Sequence, residues 1–421
     1  MADKQITRPI GLEPSWANDE NANDPGKAWD GQPLKVEPGA GKRDDGWLPE
    51  EDVAAQHKNH ILHNLGQWIQ YLSDIQIQNW PYSNNIPDDG SGGRYGTGLA
   101  YDNGSDNWFA TGEGGVAGTL GGYESEYGGV WFANNTVSFG GANLEYVFSK
   151  PDTDAPTHGG AYLVCPFAGN VYIRTSVNTW NQYALPGSGF ASGGGIWCTP
   201  HQLILVGGVE VGPPRIWTSG SAAPAFTSAG ITNSQNGTVR DFAFSAAGTV
   251  LAVGEGANAD TWTSTDGLTW TLRPTTIPEP AACAYSEELG VWMIVCQGGE
   301  CYTSFDAIAW TQVAALGTAQ FLLRCLEVAG SLWVAVDDFG QKLLISTDAG
   351  VTWKYVAIPR YGGGSILTPI SALAYSERRR QFAVAGKALV GSAESFFTAS
   401  LSVGTLAYAA NANTDITPTV T

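Results

Sequence analysis

Three stretches of this 421-residue chain repeat one pattern: an apolar strand, a tight turn, a second apolar strand, then a polar turn closed by tryptophan. Ala284 to Val295 leads to Tyr302 to Trp310, Phe242 to Val253 leads to Thr263 to Trp270, and Leu326 to Val336 leads to Ile345 to Trp353. Weaker copies close at Leu144 (from Ser138), Trp180 (from Thr175), Phe226 (from Thr218) and Phe397 (from Ser392). The closings recur at roughly 36 to 46 residues, room for about four short strands per unit. Such a unit cannot bury its apolar faces alone, so the units must stack on one another.

Stacking is either linear, as in a solenoid, or radial. Radial closure better hides the edges of so many short strands. The expected fold is therefore all-β: a seven-bladed β-propeller, with six or eight blades allowed by the same count. The first blade opens near Gly98 to Tyr101, and the domain spans residues 80–410 with a tail at 411–421. The 54 glycines carry no Gly-X-Y period, which excludes collagen and assigns them to turns. Charged residues make up only 14% of the chain, so a large core can be buried.

The chain opens differently. Residues 1–46 are rich in Pro, Gly, Asn and Asp without a period and read as an extended arm, with Trp16 and Trp29 as plugs for a partner's pocket. Residues 47–79 read as a short α-helix. Pro49 suits its first turn, and Glu50, Glu51 and Asp52 place negative charge at the positive end of its dipole. Ile61, Leu65, Trp68, Leu72 and Ile75 follow the 4-3-4-3 spacing of a heptad seam, which points to a homo-oligomer, a trimer for a fibre-like part, or to docking. His57, His60 and His63 do not share one helical face, so they read as solvated or interface histidines; His57 with His60 leaves a metal pair open.

Acidic residues outnumber basic ones by 40 to 21, giving a formal charge of −19. Such a surface repels nucleic acid and anionic lipid. No apolar run reaches the ~18 residues of a membrane span, and Met1 to Ile10 lacks the apolar core of a secretory signal. Neither nucleic-acid binding nor membrane insertion is expected. Of the six cysteines, Cys165, Cys198, Cys283, Cys296, Cys301 and Cys325, none forms a CxxC pair, so no metal site or cofactor is expected. They read as buried thiols in strands, with a Cys296–Cys301 bridge across a hairpin as the alternative.

The segments around Ser264, Asp266, Gly267 and Trp270, and around Ser346, Asp348, Gly350 and Trp353, resemble the Asp-box or BNR repeat; Ser304, Asp306 and Trp310 are a fair third copy. The physical logic is a self-satisfied hairpin, in which short polar side chains bond the turn's own N–H groups and glycine accepts positive φ. These aspartates are expected to be structural. Asp-box propellers include sialidases, so an enzyme must be weighed. The resemblance would imply an arginine cluster, a tyrosine nucleophile, acidic helpers and an Arg-Ile-Pro segment. That segment is absent, since Arg215 is followed by Ile216 and Trp217. Arg378 to Arg380 read as a solvated hairpin turn, no Ser-His-Asp pattern appears, and Gly90 to Gly98 does not join a strand to a helix as a phosphate loop must. No catalytic residues are expected.

Gly46 to Asn59, followed by Leu62 to Leu72, resembles a segment near the start of phage tail and fibre proteins. The resemblance implies attachment to a virion tail, assembly in the host cytoplasm, and other tail or baseplate proteins as partners. The expectation is a structural virion protein displaying its propeller toward a host-surface glycan, whose binding residues the sequence leaves unknown. The alternatives are a virion-borne depolymerase or sialidase-like glycosidase, a purely architectural tail or capsid-decoration protein, and a cellular Asp-box scaffold.

Overall fold

A computed structural model describes residues 95–102, 107–113, 121–125, 132–134, 144–149, 162–166, 169–176, 179–187, 189–190, 194–210, 214–220, 224–229, 231, 237–256, 260–315, 323–337, 342–357, 367–390, 393–404 and 406. The chain divides into two units, residues 1–80 and 81–421. The expected arm, the expected helix and the 411–421 tail lie outside the described residues. So do Trp16, Trp29, Ile61, Leu65, Trp68, Leu72, Ile75 and the three N-terminal histidines.

The described strands form seven antiparallel sheets, spanning residues 95–134, 144–184, 189–229, 237–274, 280–315, 323–357 and 367–402. Within each sheet, strands follow one another in chain order as a meander; the third carries a short extra pairing through Gly189–Phe190, and three strands are described in the seventh. A sheet packed on both faces reads as a continuous apolar run rather than an alternating one. Val291–Cys296 and the apolar part of Leu332–Asp337 show this, with every residue buried.

The interiors lie between sheets. Val171, Ile173 and Leu185 of the second sheet meet Trp197, Ile204 and Trp217 of the third. Cys198, Leu205 and Ile216 of the third meet Phe242, Val250 and Trp262 of the fourth. Leu251 and Val253 of the fourth meet Trp292 and Ile294 of the fifth. Met293 and Val295 of the fifth meet Trp333 and Leu344 of the sixth. Leu99, Tyr101, Trp108 and Ala110 of the first sheet pack on Ala372, Ala374, Ala383 and Ala385 of the seventh. The last sheet thus covers the first, which a linear solenoid cannot do; the fold is an all-β propeller.

Arg379 takes part in that closure. Its Nε donates to the Tyr101 hydroxyl at 3.0 Å, and its guanidinium lies 5.7 Å from the Tyr101 ring centre. Reading Arg378 to Arg380 as a wholly solvated turn was therefore incomplete, because the turn abuts the first sheet. Two of the weaker repeat closings are also misplaced. Leu144 begins the inner strand of the second sheet (Leu144–Ser149), and Phe397 lies inside the third strand of the seventh (Ala393–Ser402). Aromatic and large aliphatic residues serve equally in strands and at turn closings, so residue type alone misassigned both.

The inner strands share a further irregularity. Register slips between Gly96 and Gly98, Leu144 and Tyr146, Val239 and Asp241, Pro280 and Ala282, Leu323 and Leu326, and Ile370 and Ala372. A bulge sharpens local twist, and here it recurs where the first strand of each sheet lies beside its neighbours' first strands.

Trp108 is fully buried at the junction of first and seventh sheets, its ring tilted 58° against Tyr101 with centres 4.7 Å apart. Trp108→Ala is expected to cost about 3–5 kcal/mol, read as a lower denaturation midpoint in urea. An unchanged midpoint would contradict the closure described here.

Candidate functional site

The polar turns between third and fourth strands are built from their own side chains. In the fourth sheet the Ser264 hydroxyl donates to Asp266 Oδ1 at 2.9 Å and accepts the Gly267 N–H at 2.8 Å. Asp266 Oδ1 also accepts the N–H groups of Leu268 and Thr269 at 2.8 and 2.7 Å. The fifth sheet repeats this: Ser304 donates to Asp306 at 2.9 Å, and Asp306 accepts from Ile308 and Ala309 at 2.9 and 2.8 Å. In the sixth, Ser346 donates to Asp348 at 2.8 Å, and Asp348 accepts the Thr352 N–H at 2.9 Å and its hydroxyl at 2.6 Å. That turn is one residue longer, and there the Trp353 indole N–H reaches the Gly350 carbonyl at 3.0 Å.

These bonds set the acidity of the three carboxyls. The N–H groups of Thr269 and Leu268 hold Asp266 down at about 2. Asp306 is lowered by the N–H groups of Ala309 and Ile308. Burial pushes Asp348 upward, but the bonds from Thr352 and Ser346 outweigh it and the net direction is down. Each aspartate is spent as an acceptor within its own turn.

The same turns lock neighbouring sheets together. Gly267, Ala307 and Gly350 all have positive φ, at 70°, 60° and 84°. A Cβ on Gly267 would lie 2.8 Å from Leu203 of the third sheet, and one on Gly350 would lie 2.7 Å from Met293 of the fifth. Ala307 is fully buried in the cluster with Leu251 and Val253 of the fourth sheet. Each turn therefore presses its left-handed residue into the preceding sheet.

Two carboxyls that the sequence reading missed lie on inner strands. Asp241 belongs to Gly237–Phe244; its Oδ1 accepts the Phe242 N–H at 2.8 Å, and its Oδ2 accepts the Cys283 N–H of the fifth sheet at 2.9 Å. Burial raises its pKa to about 7 against those two stabilising bonds. Glu327, on Leu323–Ala329 of the sixth sheet, is raised to about 8 by burial and then by repulsion from Asp241. Both keep a little accessible surface while protein surrounds them, as befits groups where the inner strands converge. A signal existed in the repeat. Asp241 occupies the slot of Ala282 and Ala372, and Glu327 that of Ala243, Ala284 and Ala374, so a carboxylate replaces a small apolar residue in each.

Other candidates fall apart in space. Cys198, Cys283, Cys296 and Cys301 are buried thiols outside any disulfide, and Cys325 is half-buried. Cys301 pairs in register with Val295 rather than with Cys296, which places the two thiols in different inter-sheet clusters. Burial pushes the Cys301 thiol up to about 12 and Cys198 to about 11. Arg215 and Arg273 contact hydroxyls of their own sheets, Ser228 at 3.4 Å and Thr263 at 3.0 Å. Among the described residues no group of three or more His, Cys, Asp or Glu is placed to hold a metal ion, and no helix is long and apolar enough to cross a membrane.

No protein-family model and no curated protein matches the chain. Solved structures do. A structure of YCF48 bound to D1 peptide superposes with a TM-score of 0.52 at 14% identity, covering 77% of this chain and 95% of that one. YCF48 from Cyanidioschyzon merolae gives 0.50 at 13%, covering 76% and 98%. Selenomethionine-substituted virginiamycin B lyase from Staphylococcus aureus gives 0.54 at 10%, covering 77% and 99%. At these identities the likeness shows the propeller fold alone, and since one of these structures is named as a lyase and the others are not named as enzymes, the fold does not decide activity.

Two outcomes follow. Gly267→Ala costs about 1–2 kcal/mol for the left-handed backbone, plus the displacement of Leu203, whereas Ala307→Gly stays within about 1 kcal/mol of the parent because relief of backbone strain offsets a lost buried methyl; urea titrations read both. Asp241 and Glu327 have raised pKa values, so the stability they allow is fully present below about 4, their ordinary range, and is lost as pH rises through about 7 to 8. Asp266 works oppositely, its contribution being present above its ordinary value and lost as pH falls toward about 2. Melting temperature should therefore fall between pH 5 and pH 9, and Glu327→Gln should flatten that fall; an equal slope in the variant would remove Glu327 as the cause.

Proposed function

We propose that this chain is a seven-bladed, non-enzymatic β-propeller of a bacteriophage tail, attached to the particle through its N-terminal segment and displayed toward the host surface. Seven sheets, the last packed on the first, support the blade count. The phage-like segment from Gly46 to Leu72 supports the virion assignment. The observation that carries the non-enzymatic part is how the aspartates of the Ser–Asp turns, and Asp241, are used. Asp266, Asp306 and Asp348 are consumed as acceptors inside their turns, and Asp241 bridges two inner strands. A general acid or nucleophile needs a free carboxyl facing substrate.

The ligand class in this reading is a host-surface glycan, with other tail or baseplate proteins as neighbours. The described Trp and Tyr side chains are buried or half-buried, and Phe305 is the aromatic left in water, at 82% exposure. A sugar platform would therefore draw on Phe305 or on loops between the described strands. A glycan panel scored both for retention on the full-length protein and for release of reducing ends tests the proposal. Retention without release is expected. Release of reducing ends would move the chain to the glycosidase reading, and neither signal would leave the architectural role.

A further inference from the structure

The large apolar side chains left exposed among the described residues are Leu268, Leu289, Phe305, Ile308 and Val351, and all belong to turns of the fourth, fifth and sixth sheets. The turns share one end of those sheets. In a meander the first and third turns lie at the same end. First turns of neighbouring sheets also touch: Ala246 N–H donates to Glu287, and the Ser286 hydroxyl donates to the Gly330 carbonyl at 2.6 Å. Leu268, Ile308 and Val351 hold the same place, two residues before the closing tryptophan. Turn chemistry does not require an apolar side chain there. Leu268 and Ile308 serve the turn through their backbone N–H groups, and their side chains are 52% and 48% exposed.

The turns of these three sheets carry acids and no base, whereas the adjoining first turn of the seventh sheet, at the same end, carries Glu377 and Arg378 to Arg380. Asp266, Glu287, Glu288, Asp306 and Asp348 lie in the turns 245–249, 265–269, 287–290, 305–309, 330–331 and 347–352, and no lysine or arginine does. Apolar tips among acidic turns are the complement of apolar side chains flanked by bases. A second copy of the same face would oppose carboxylate to carboxylate in a chain of formal charge −19, and an anionic lipid surface would be repelled likewise.

We propose that this end of the fourth to sixth sheets docks another protein through a segment whose apolar side chains are flanked by lysine or arginine. The assignment stands independently of the virion reading. The probe is a labelled amphipathic leucine–lysine peptide titrated into the full-length protein by fluorescence anisotropy, with a scrambled peptide of the same composition and a leucine–glutamate counterpart as controls. The paired substitution Phe305→Ser with Ile308→Ser, at exposed positions that leave the melting temperature near the parent's, should weaken binding at least about tenfold. Glu288→Lys should weaken it severalfold, and added salt should weaken it in the parent. Absence of binding, equal binding of the scrambled peptide, or unchanged affinity in both variants would overturn the proposal. So would sedimentation showing that the parent self-associates and the paired variant does not, which would make a second copy the occupant.

Discussion

Each sheet of this propeller has two apolar faces, and neither can be left in water. The second strand of the fifth sheet, Val291–Cys296, sends Trp292 and Ile294 against the fourth sheet and Met293 and Val295 against the sixth. Burying a side chain of this size is worth about 1.5–3 kcal/mol, so a sheet exposed on one side forfeits most of its stabilisation. That constraint propagates from sheet to sheet until the seventh covers the first. Closure follows from having nowhere else to end a stack of two-faced sheets.

Apolar burial is non-directional and does not by itself set how the sheets are aligned. Polar turns supply that. The Ser–Asp turns satisfy their own backbone groups, so they enter the inter-sheet space without unpaired donors, and their left-handed residues fit against the preceding sheet. First turns are tied directly as well, with His201 Nε2 and the Gly248 carbonyl 2.6 Å apart across the third and fourth sheets. Asp241 adds the same kind of tie on the inner strands, through the Cys283 N–H.

The acids thus divide by surroundings rather than by residue type. Those at the turns lie among N–H donors and near solvent, so the charged form is favoured. Asp241 and Glu327 lie among protein atoms and near each other, so the neutral form is favoured. A surface of turn carboxylates held toward the ionised form, with apolar tips, differs from a buried pair of acids held toward the neutral form. The described residues place the first at one end of three adjacent sheets and the second among the inner strands.

Much of this was legible beforehand. Apolar strands too continuous for one-sided sheets, the repeat length, and the Ser, Asp and Trp of three turns are local properties, carried by residues close in sequence, and they determined an all-β array of stacked sheets. What lay beyond reach depended on residues distant in the chain. Leu144 and Phe397 could not be told from turn closings, because packing rather than residue type separates the roles. The burial of Asp241 and Glu327 arises from strands tens of residues away, and the tie from Arg379 to Tyr101 joins opposite ends of the domain. Leu268, Ile308 and Val351 read as core in any binary pattern, and only the position of their turns at the end of the sheets leaves them in water. The sequence alone determined the repeating unit, because hydrogen bonding and hydrophobic periodicity act locally. The tertiary structure decided closure, the acidity of the inner carboxyls and the exposed apolar end, because each is a property of surfaces that exist only once the sheets have met.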